Sequence, residues 1–327
     1  MPIGLRILHW VVAYLVVSSI SVGIFSFLIA SYSVYVSTLR RKKPEKWSRT
    51  PQFTDPLSLK MDTEGQEWHK QHLHQRTEVQ ITNEGLRLFG EYYDLGNDKC
   101  VIILSGRTES LRYGYYFGQP YAAAGYNVLV IDPRAHGLSD GEFNTVGFEE
   151  SKDVLAWARY IHDTFHVRSI ILHGICIGAA GGMFAITSEN CPDYIHGIVT
   201  DGMFANFGES MKNHLIEYKK PIFPIYNLIN MWSKHYTGHS MDFGPIDVIH
   251  KLDRPILMLY SKEDLYSVPE FSKKLYAKVS HENKELVWFD HGAHSMLRVN
   301  DSERYDAAIH AYLEKYFAAV PSGVAQS

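Results

Sequence analysis

The sequence has little cysteine and no general excess of positive charge. Its 327 residues include only three cysteines, which excludes a disulfide-built scaffold and favours a reducing compartment. The formal net charge of −4 gives no electrostatic case for nucleic-acid binding. Hydrophobic residues at 46% and charged residues at 21% are ordinary for a globular chain, so extended disorder is excluded as well. The length is sufficient for one large α/β domain or two ordinary domains.

Charged side chains are almost absent from residues 1–39, where Arg6 is the single Lys, Arg, Asp or Glu. The uncharged run 7–39 is 33 residues long, whereas a bilayer core requires only about 20 apolar residues. The run therefore predicts an uncleaved N-terminal transmembrane anchor over residues 1–39. A cleaved signal peptide is the alternative, but the apolar region of such peptides is usually only about 7–15 residues long.

A basic block follows the apolar run, with six Lys or Arg residues in 40–49. Because an excess of Lys and Arg marks the cytoplasmic flank of a membrane span, the large C-terminal part is predicted to be cytoplasmic. The same residues are suited to anionic headgroups, which makes membrane lipid an expected partner. Residues 50–75 are polar and include Pro51 and Pro56. The whole segment 40–75 is predicted to be a basic juxtamembrane segment and linker.

From residue 76 to about 320, the sequence has the pattern of an α/β domain. Two segments of alternating polarity, 77–82 and 86–95, predict a β-hairpin. Short continuous apolar runs, typical of strands buried on both faces, follow at 100–105, 127–132, 169–174, 196–201, 255–260 and 285–290. Helical patterns separate them, at about 112–124, 146–164, 178–188, 269–279 and 302–317. This alternation predicts a mostly parallel sheet flanked by helices, with 321–327 as a C-terminal tail.

One interval between two predicted strands, at about 203–253, is far longer than an ordinary connection. It contains the apolar and aromatic stretch 219–232. We expect it to form a small cap over a pocket, with one or more of four side chains facing that pocket: Phe223, Tyr226, Leu228 and Trp232. A plain structural insertion is the alternative.

The motif with the clearest chemistry stands where the fifth predicted strand meets a helix. Gly174-Ile-Cys176-Ile-Gly178 has the Gly-x-nucleophile-x-Gly pattern of a nucleophile elbow, with Cys in the position where Ser is usual. A strand that turns directly into a helix leaves no space for side chains two residues from the nucleophile, which explains the two glycines. The N-terminus of the helix offers amide donors to a developing oxyanion and lowers the pKa of a thiol.

On these residues the chain resembles the α/β-hydrolase superfamily over 77–317, and most closely its lysophospholipase or serine-aminopeptidase-like branch. Four further segments match motifs of that superfamily in the order that it uses: 105–110 for the oxyanion loop, 132–139 for the turn after the fourth strand, 261–264 for the acid and 290–295 for the base. The resemblance implies an α/β-hydrolase fold with a small cap insertion. Dienelactone hydrolases and bile-acid acyltransferases are similar in having Cys at this elbow.

The resemblance also implies roles for individual residues. Cys176 is the expected nucleophile, His294 the base and Asp264 the acid of a triad. The expected oxyanion hole consists of the backbone N–H groups of Arg107 and Ile177. Three neighbours compete for these roles: Glu263 and Asp201 for the acid, and His291 for the base.

The expected function is hydrolysis of an ester, thioester or amide bond by a membrane-anchored enzyme. The apolar cap and the nearby membrane favour a lipid-like acyl substrate, and no metal or organic cofactor is implied. An acyltransferase that uses the same thioester intermediate is one alternative. The other is a catalytically silent binding scaffold, in which Cys176 is an inert buried thiol.

Overall fold

The described part of the chain, residues 2–50, 53 and 55–318 of this computed structural model, contains one eight-stranded sheet. The predicted tail 321–327 lies outside these residues. The strands are β1 (Arg76–Asn83), β2 (Leu86–Tyr93), β3 (Lys99–Leu104), β4 (Asn127–Ile131), β5 (Ser169–Ile175), β6 (Ile195–Asp201), β7 (Ile256–Ser261) and β8 (Lys284–Phe289). Their order across the sheet is β1-β2-β4-β3-β5-β6-β7-β8. The β1–β2 and β2–β4 pairs are antiparallel, and all later pairs are parallel.

The helices are α1 (Ile3–Leu39), α2 (Pro56–Gln71), α3 (Leu111–Ala123), α4 (Phe148–Phe165), α5 (Ile177–Ile186), α6 (Phe207–Glu217), α7 (Ile225–Thr237), α8 (Pro245–Val248), α9 (Pro269–Lys278), α10 (Leu297–Asn300) and α11 (Ser302–Phe317). Two hydrophobic cores cover the two faces of the sheet. All seven residues of the central strand β5 are buried, as its continuous apolar run predicts. The predicted fold class, a mostly parallel sheet flanked by helices, is confirmed.

Within the segment 40–75, predicted to be a basic juxtamembrane segment and linker, residues Pro56–Gln71 form helix α2. The side chains of Met61 and Trp68 are buried, and Gly65 lets α2 approach α3 until its α-carbon faces the backbone of Tyr116. An ion pair between Asp62 and Arg112 of α3 joins the two helices at 2.5 Å. These buried positions are four and three residues apart, so they form one helical face against the domain.

Helix α1 combines an exposed part with a packed end. Its length and apolar composition make it a candidate membrane span. Residues 3–30 are at most partly buried and extend for about 42 Å at about 1.5 Å per residue, compared with a bilayer core of about 30 Å. From Ser31 onward one face of the helix is buried, and Trp232 of α7 donates a hydrogen bond from Nε1 to the Ser31 hydroxyl at 3.1 Å. The packed part of the chain therefore begins near residue 31 rather than after residue 39.

Candidate active site

The turn between β5 and α5 holds Cys176 in a backbone conformation that few residues adopt. Its φ is +53° and its ψ is −113°, and its N–H donates to the backbone carbonyl of Asp201 at 2.9 Å. A Cβ at Gly174 would overlap the backbone of Ala179, and one at Gly178 would overlap the backbone of Leu104. Both glycines are therefore sterically required, and the strained turn presents the thiol at the N-terminus of α5.

Two other predicted residues lie beside Cys176. The Nδ1 of His294 donates to Oδ2 of Asp264 at 2.8 Å, and the Cys176 thiol is close enough to the same ring to influence its charge. Asp264 also accepts backbone N–H bonds from Tyr266 and Ser267, at 2.7 and 2.8 Å. The carboxylate is thus held rigidly, and it orients an imidazole whose second nitrogen is left for the thiol.

The charges of this group support one another. Burial lowers the pKa of His294, but the neighbouring Cys176 and Asp264 outweigh burial and raise the pKa well above its ordinary value. For Asp264, burial raises the pKa, while the bonds from His294 and the two backbone amides bring it below the usual range. The arrangement therefore favours an imidazolium next to the sulfur, which is the partner that a reactive thiolate requires.

The competing residues occupy other positions. His291 is exposed, and its Nδ1 lies 3.2 Å from Oε1 of Glu263 on the surface. Asp201 is buried at the end of β6, where its Oδ2 accepts a hydrogen bond from the Tyr305 hydroxyl at 2.9 Å. The structure thus brings Cys176 together with His294 and Asp264. The competing residues have other partners: His291 pairs with Glu263, and Asp201 bonds to Tyr305.

The loop after β3 runs close to the sulfur. A Cβ built at Gly106 would lie 3.7 Å from Cβ of Cys176. The next residue, Arg107, has its carbonyl oxygen 2.6 Å from Nε2 of the buried His136, which holds this part of the loop in place. Ile177 is the first residue of α5, so its N–H has no carbonyl partner within the helix. The loop that carries the Arg107 N–H therefore adjoins Cys176, and Ile177 directly follows Cys176 in the chain.

A cavity of about 50 Å³ lies beside the candidate triad. Its lining residues come from α1, the loop after β3, α6 and the loop after β7: Thr38, Arg107, Phe207, Ser210, Met211, His214 and Tyr266. The Tyr266 ring is 5.4 Å from the His294 ring. None of the four side chains expected to face the pocket, Phe223, Tyr226, Leu228 and Trp232, is among the residues that line this cavity. Phe223 is 78% exposed, and Trp232 packs on α1.

The sequence did not predict that helix α1 contributes to this cavity. Arg107 donates from Nη1 to the backbone carbonyl of Thr38 at 3.2 Å. Nothing in the apolar run distinguishes Thr38 from a membrane-embedded residue. The available signal was the set of polar or aromatic residues from Ser31 onward, which are better suited to packing against protein than to lipid.

Asp201 is a second carboxyl group behind the candidate triad. Its Oδ1 has no hydrogen-bond partner among the described residues, and its Oδ2 shares the Tyr305 hydroxyl with Nε2 of His173. Burial, reinforced by the charge of Asp264, raises the pKa of Asp201 to about 7. A protonated carboxyl is therefore stable beside the charged pair of His294 and Asp264.

This carboxyl leads to a prediction on stability. Between its ordinary pKa of 3.8 and its folded pKa of about 7, the folded chain holds a proton that the unfolded chain releases. The stability from protonated Asp201 is thus present below pH 3.8 and is lost as the pH rises to about 7. Asp201→Asn should not show this loss of stability. The free energy of unfolding of the variant minus that of the wild type should therefore increase between pH 3.8 and about 7 and stay constant at higher pH. Urea unfolding in detergent across the range measures the difference, and parallel pH profiles would contradict the prediction.

Comparisons with known proteins agree with this fold. The family model described as alpha/beta hydrolase fold matches residues 99–223. The curated protein YqkD of Bacillus subtilis, described as uncharacterized, is 27% identical over 217 residues, which are 65% of this chain and 70% of YqkD. An uncharacterized membrane protein of Saccharomyces cerevisiae, YNL320W, is 22% identical over 228 residues, which are 68% of this chain and 74% of that protein.

Solved structures show the same fold. The Pyrococcus furiosus esterase Pf2001 superimposes with a TM-score of 0.63 at 23% identity, over 76% of this chain and 95% of the esterase. The α/β hydrolase GrgF from Penicillium sp. sh18 gives a TM-score of 0.60 at 16% identity, over 74% of this chain and 99% of GrgF. At these identities the comparison establishes the architecture.

Proposed function

Because this chain has the α/β-hydrolase fold, we propose that it is a membrane-anchored hydrolase that cleaves carboxylic ester, thioester or amide bonds through Cys176. The supporting observation is the linked geometry of thiol, imidazole and carboxylate. His294 is bonded to Asp264 at 2.8 Å, and Cys176 is among the neighbours that raise the pKa of His294. This is the relation of nucleophile, base and orienting acid that acyl transfer requires.

The proposed reaction has two halves. His294 takes the proton of the Cys176 thiol, and the sulfur attacks the carbonyl carbon of the substrate. The resulting oxyanion accepts hydrogen bonds from the backbone N–H groups of Arg107 and Ile177. The imidazolium then protonates the leaving group, the bond to it breaks, and a thioester remains on Cys176. In the second half His294 takes a proton from water, the hydroxide attacks the thioester, and the acid and the thiol are released.

The surroundings of the site favour an acyl chain as the substrate. Phe207 and Met211 of α6 line the cavity beside His294, and both belong to an apolar cluster that also contains the end of α1. A pocket with apolar walls that adjoins a candidate membrane span is suited to a lipid-like molecule. Arg107 and His214 add polar and cationic character at the same cavity, where an ester or headgroup oxygen would bind.

The test uses the full chain purified in mild detergent and p-nitrophenyl esters of acetate, octanoate and palmitate. We expect release of p-nitrophenol, fastest with one of the two longer chains, and an acyl mass increment on the peptide that contains Cys176. Cys176→Ala should abolish both signals, and Cys191→Ala, which removes the other partly exposed cysteine, should leave both unchanged. Transfer to an added alcohol or amine in preference to water would indicate an acyltransferase. If both cleavage and acylation are absent, that result would favour a silent scaffold and would contradict the proposal.

We also propose the membrane arrangement: α1 as the anchor, 40–75 as the juxtamembrane segment, 76–320 as the hydrolase domain and about 203–253 as its cap. The basic block supports a cytoplasmic location of the domain, because Arg40, Lys42 and Lys43 follow the exposed part of α1, residues 3–30, within the roughly 15–20 residues over which flanking charge sets orientation. External protease added to intact cells should leave the domain undigested, whereas permeabilised cells should lose it. Digestion in intact cells would reverse the proposed orientation.

A further inference from the structure

The end of α6 and the connection to α7, residues 216–223, form a segment that we call the cap tip. All eight of its residues are exposed. Four of them are large apolar or aromatic side chains, with exposures of 59% for Ile216, 60% for Tyr218, 39% for Ile222 and 78% for Phe223. Lys219 and Lys220 stand between them. Apolar and aromatic side chains interleaved with lysine are typical of segments that lie in a membrane interface.

The packing of α7 shows on which side of the domain the cap tip lies. Trp232 contacts Ser31 and Tyr32 of α1, and one turn later Tyr236 contacts Tyr32 and Tyr35. The two helices therefore run in the same direction. The start of α7 lies about 10 Å before Trp232 along its axis, toward the exposed part of α1. The cap tip, which leads into that start, is thus on the side where α1 leaves the domain.

The same segment adjoins the candidate active site. Helix α6 ends in the cap tip and lines the cavity with Phe207, Met211 and His214, while Thr38 of α1 lines it from another side. The Tyr266 hydroxyl donates to the Glu217 carboxylate at 3.1 Å, which attaches the cap tip to the loop that carries Asp264. The cavity therefore lies between two elements that both extend toward the same side of the molecule.

We propose that the cap tip inserts into the headgroup region of the leaflet that α1 enters, as a second membrane contact separate from the anchor and the basic block. The occupant of this apolar surface is the lipid bilayer. Two observations identify it. The cap tip lies on the side of the domain where α1 would enter the membrane, and its lysines complement anionic headgroups. The inference rests on the proposed membrane span, and it places the rim of the cavity against the bilayer, where a lipid-like substrate enters without crossing water.

The experiment uses the full chain in vesicles of phosphatidylcholine and phosphatidylserine that contain a radiolabelled phospholipid. The photoreactive residue p-benzoylphenylalanine replaces, in separate variants, Phe223 of the cap tip, Val16 of α1 and Leu73. Leu73 is the matched control, because it is apolar and 46% exposed but lies in the turn 73–75 that leads into β1, an edge strand of the sheet. We expect strong lipid labelling at positions 16 and 223, and at least about tenfold less at position 73.

Each result separates the cap tip from the anchor. Labelling at 16 without labelling at 223 would overturn the inference and leave the anchor intact. No labelling at either position would overturn both the proposed span and this inference. Equal labelling at 73 and 223 would indicate general adsorption and would also contradict it. With both lysines changed, Lys219→Glu and Lys220→Glu, labelling at 223 should fall severalfold in anionic vesicles and much less in vesicles of phosphatidylcholine alone.

Discussion

Replacing His294 with alanine is expected to lower kcat for ester hydrolysis by about 10³-fold or more, with the fold intact. General base catalysis contributes about 10²–10⁴-fold, and His294 is the group that takes the thiol proton in the proposed reaction. Without the ring, Cys176 loses the neighbouring base and the charge that it would carry. A steady-state assay with the preferred p-nitrophenyl ester measures the loss.

The chain offers a close control for this substitution. His291 lies three residues earlier in the same loop, is exposed and pairs with Glu263, so His291→Ala should retain nearly full activity. Asp264→Asn should be intermediate, because the imidazole remains but its orienting carboxylate is lost. Circular dichroism and thermal unfolding establish that the variants fold. Equal activity of His294→Ala and His291→Ala would refute the proposed role of His294.

The second large effect is on stability. Gly178→Ala is expected to lower the free energy of unfolding by about 3 kcal/mol or more, because the added methyl group would overlap the backbone of Leu104 and Ser105. Backbone atoms of a central strand cannot move aside as the end of a flexible side chain does. The helix α5 would have to shift, and the elbow with Cys176 would shift with it.

Gly181→Ala, in the same helix, is the matched control. The nearest atom to its added Cβ would be Cβ of Glu150 at 3.5 Å, an ordinary contact distance. Since alanine is favoured over glycine in a helix by about 1 kcal/mol, this variant should be as stable as the wild type or more so. Thermal melts of both variants in one detergent make the comparison. A similar Tm for both would show that the close approach at Gly178 is not sterically required.

The central sheet could be predicted closely from the sequence. Each apolar run lies within about one residue of a strand, as β5 (Ser169–Ile175) and β7 (Ile256–Ser261) illustrate. Strands buried on both faces leave continuous apolar runs, and such a pattern does not depend on distant partners. The nucleophile elbow could also be predicted from the sequence, because glycine is required at 174 and 178 for local steric reasons.

The parts that were not predicted depend on distant contacts. The helix α2 has a start signal in Asp55, whose side chain accepts the N–H of Ser58 at 2.8 Å, and in Pro56 at its first position. Its polar sequence nevertheless predicts a linker. Only the structure shows that Trp68 is buried against the domain. The unusual state of Asp201 also has no sequence signal, because it arises from burial beside Tyr305 and the candidate triad.

The continuous helix α1 has a consequence for how this protein can be divided. Its last turns contribute Tyr35, Val36 and Leu39 to the cluster that holds Ile177 and the cap. A chain cut at residue 40 would lose that packing and would expose Trp232 and the apolar face of α7 to water. The candidate membrane span and the α/β domain are therefore not interchangeable modules. Attaching a different membrane tether to this domain, or producing the domain without its span, requires that residues 31–39 be kept with the domain.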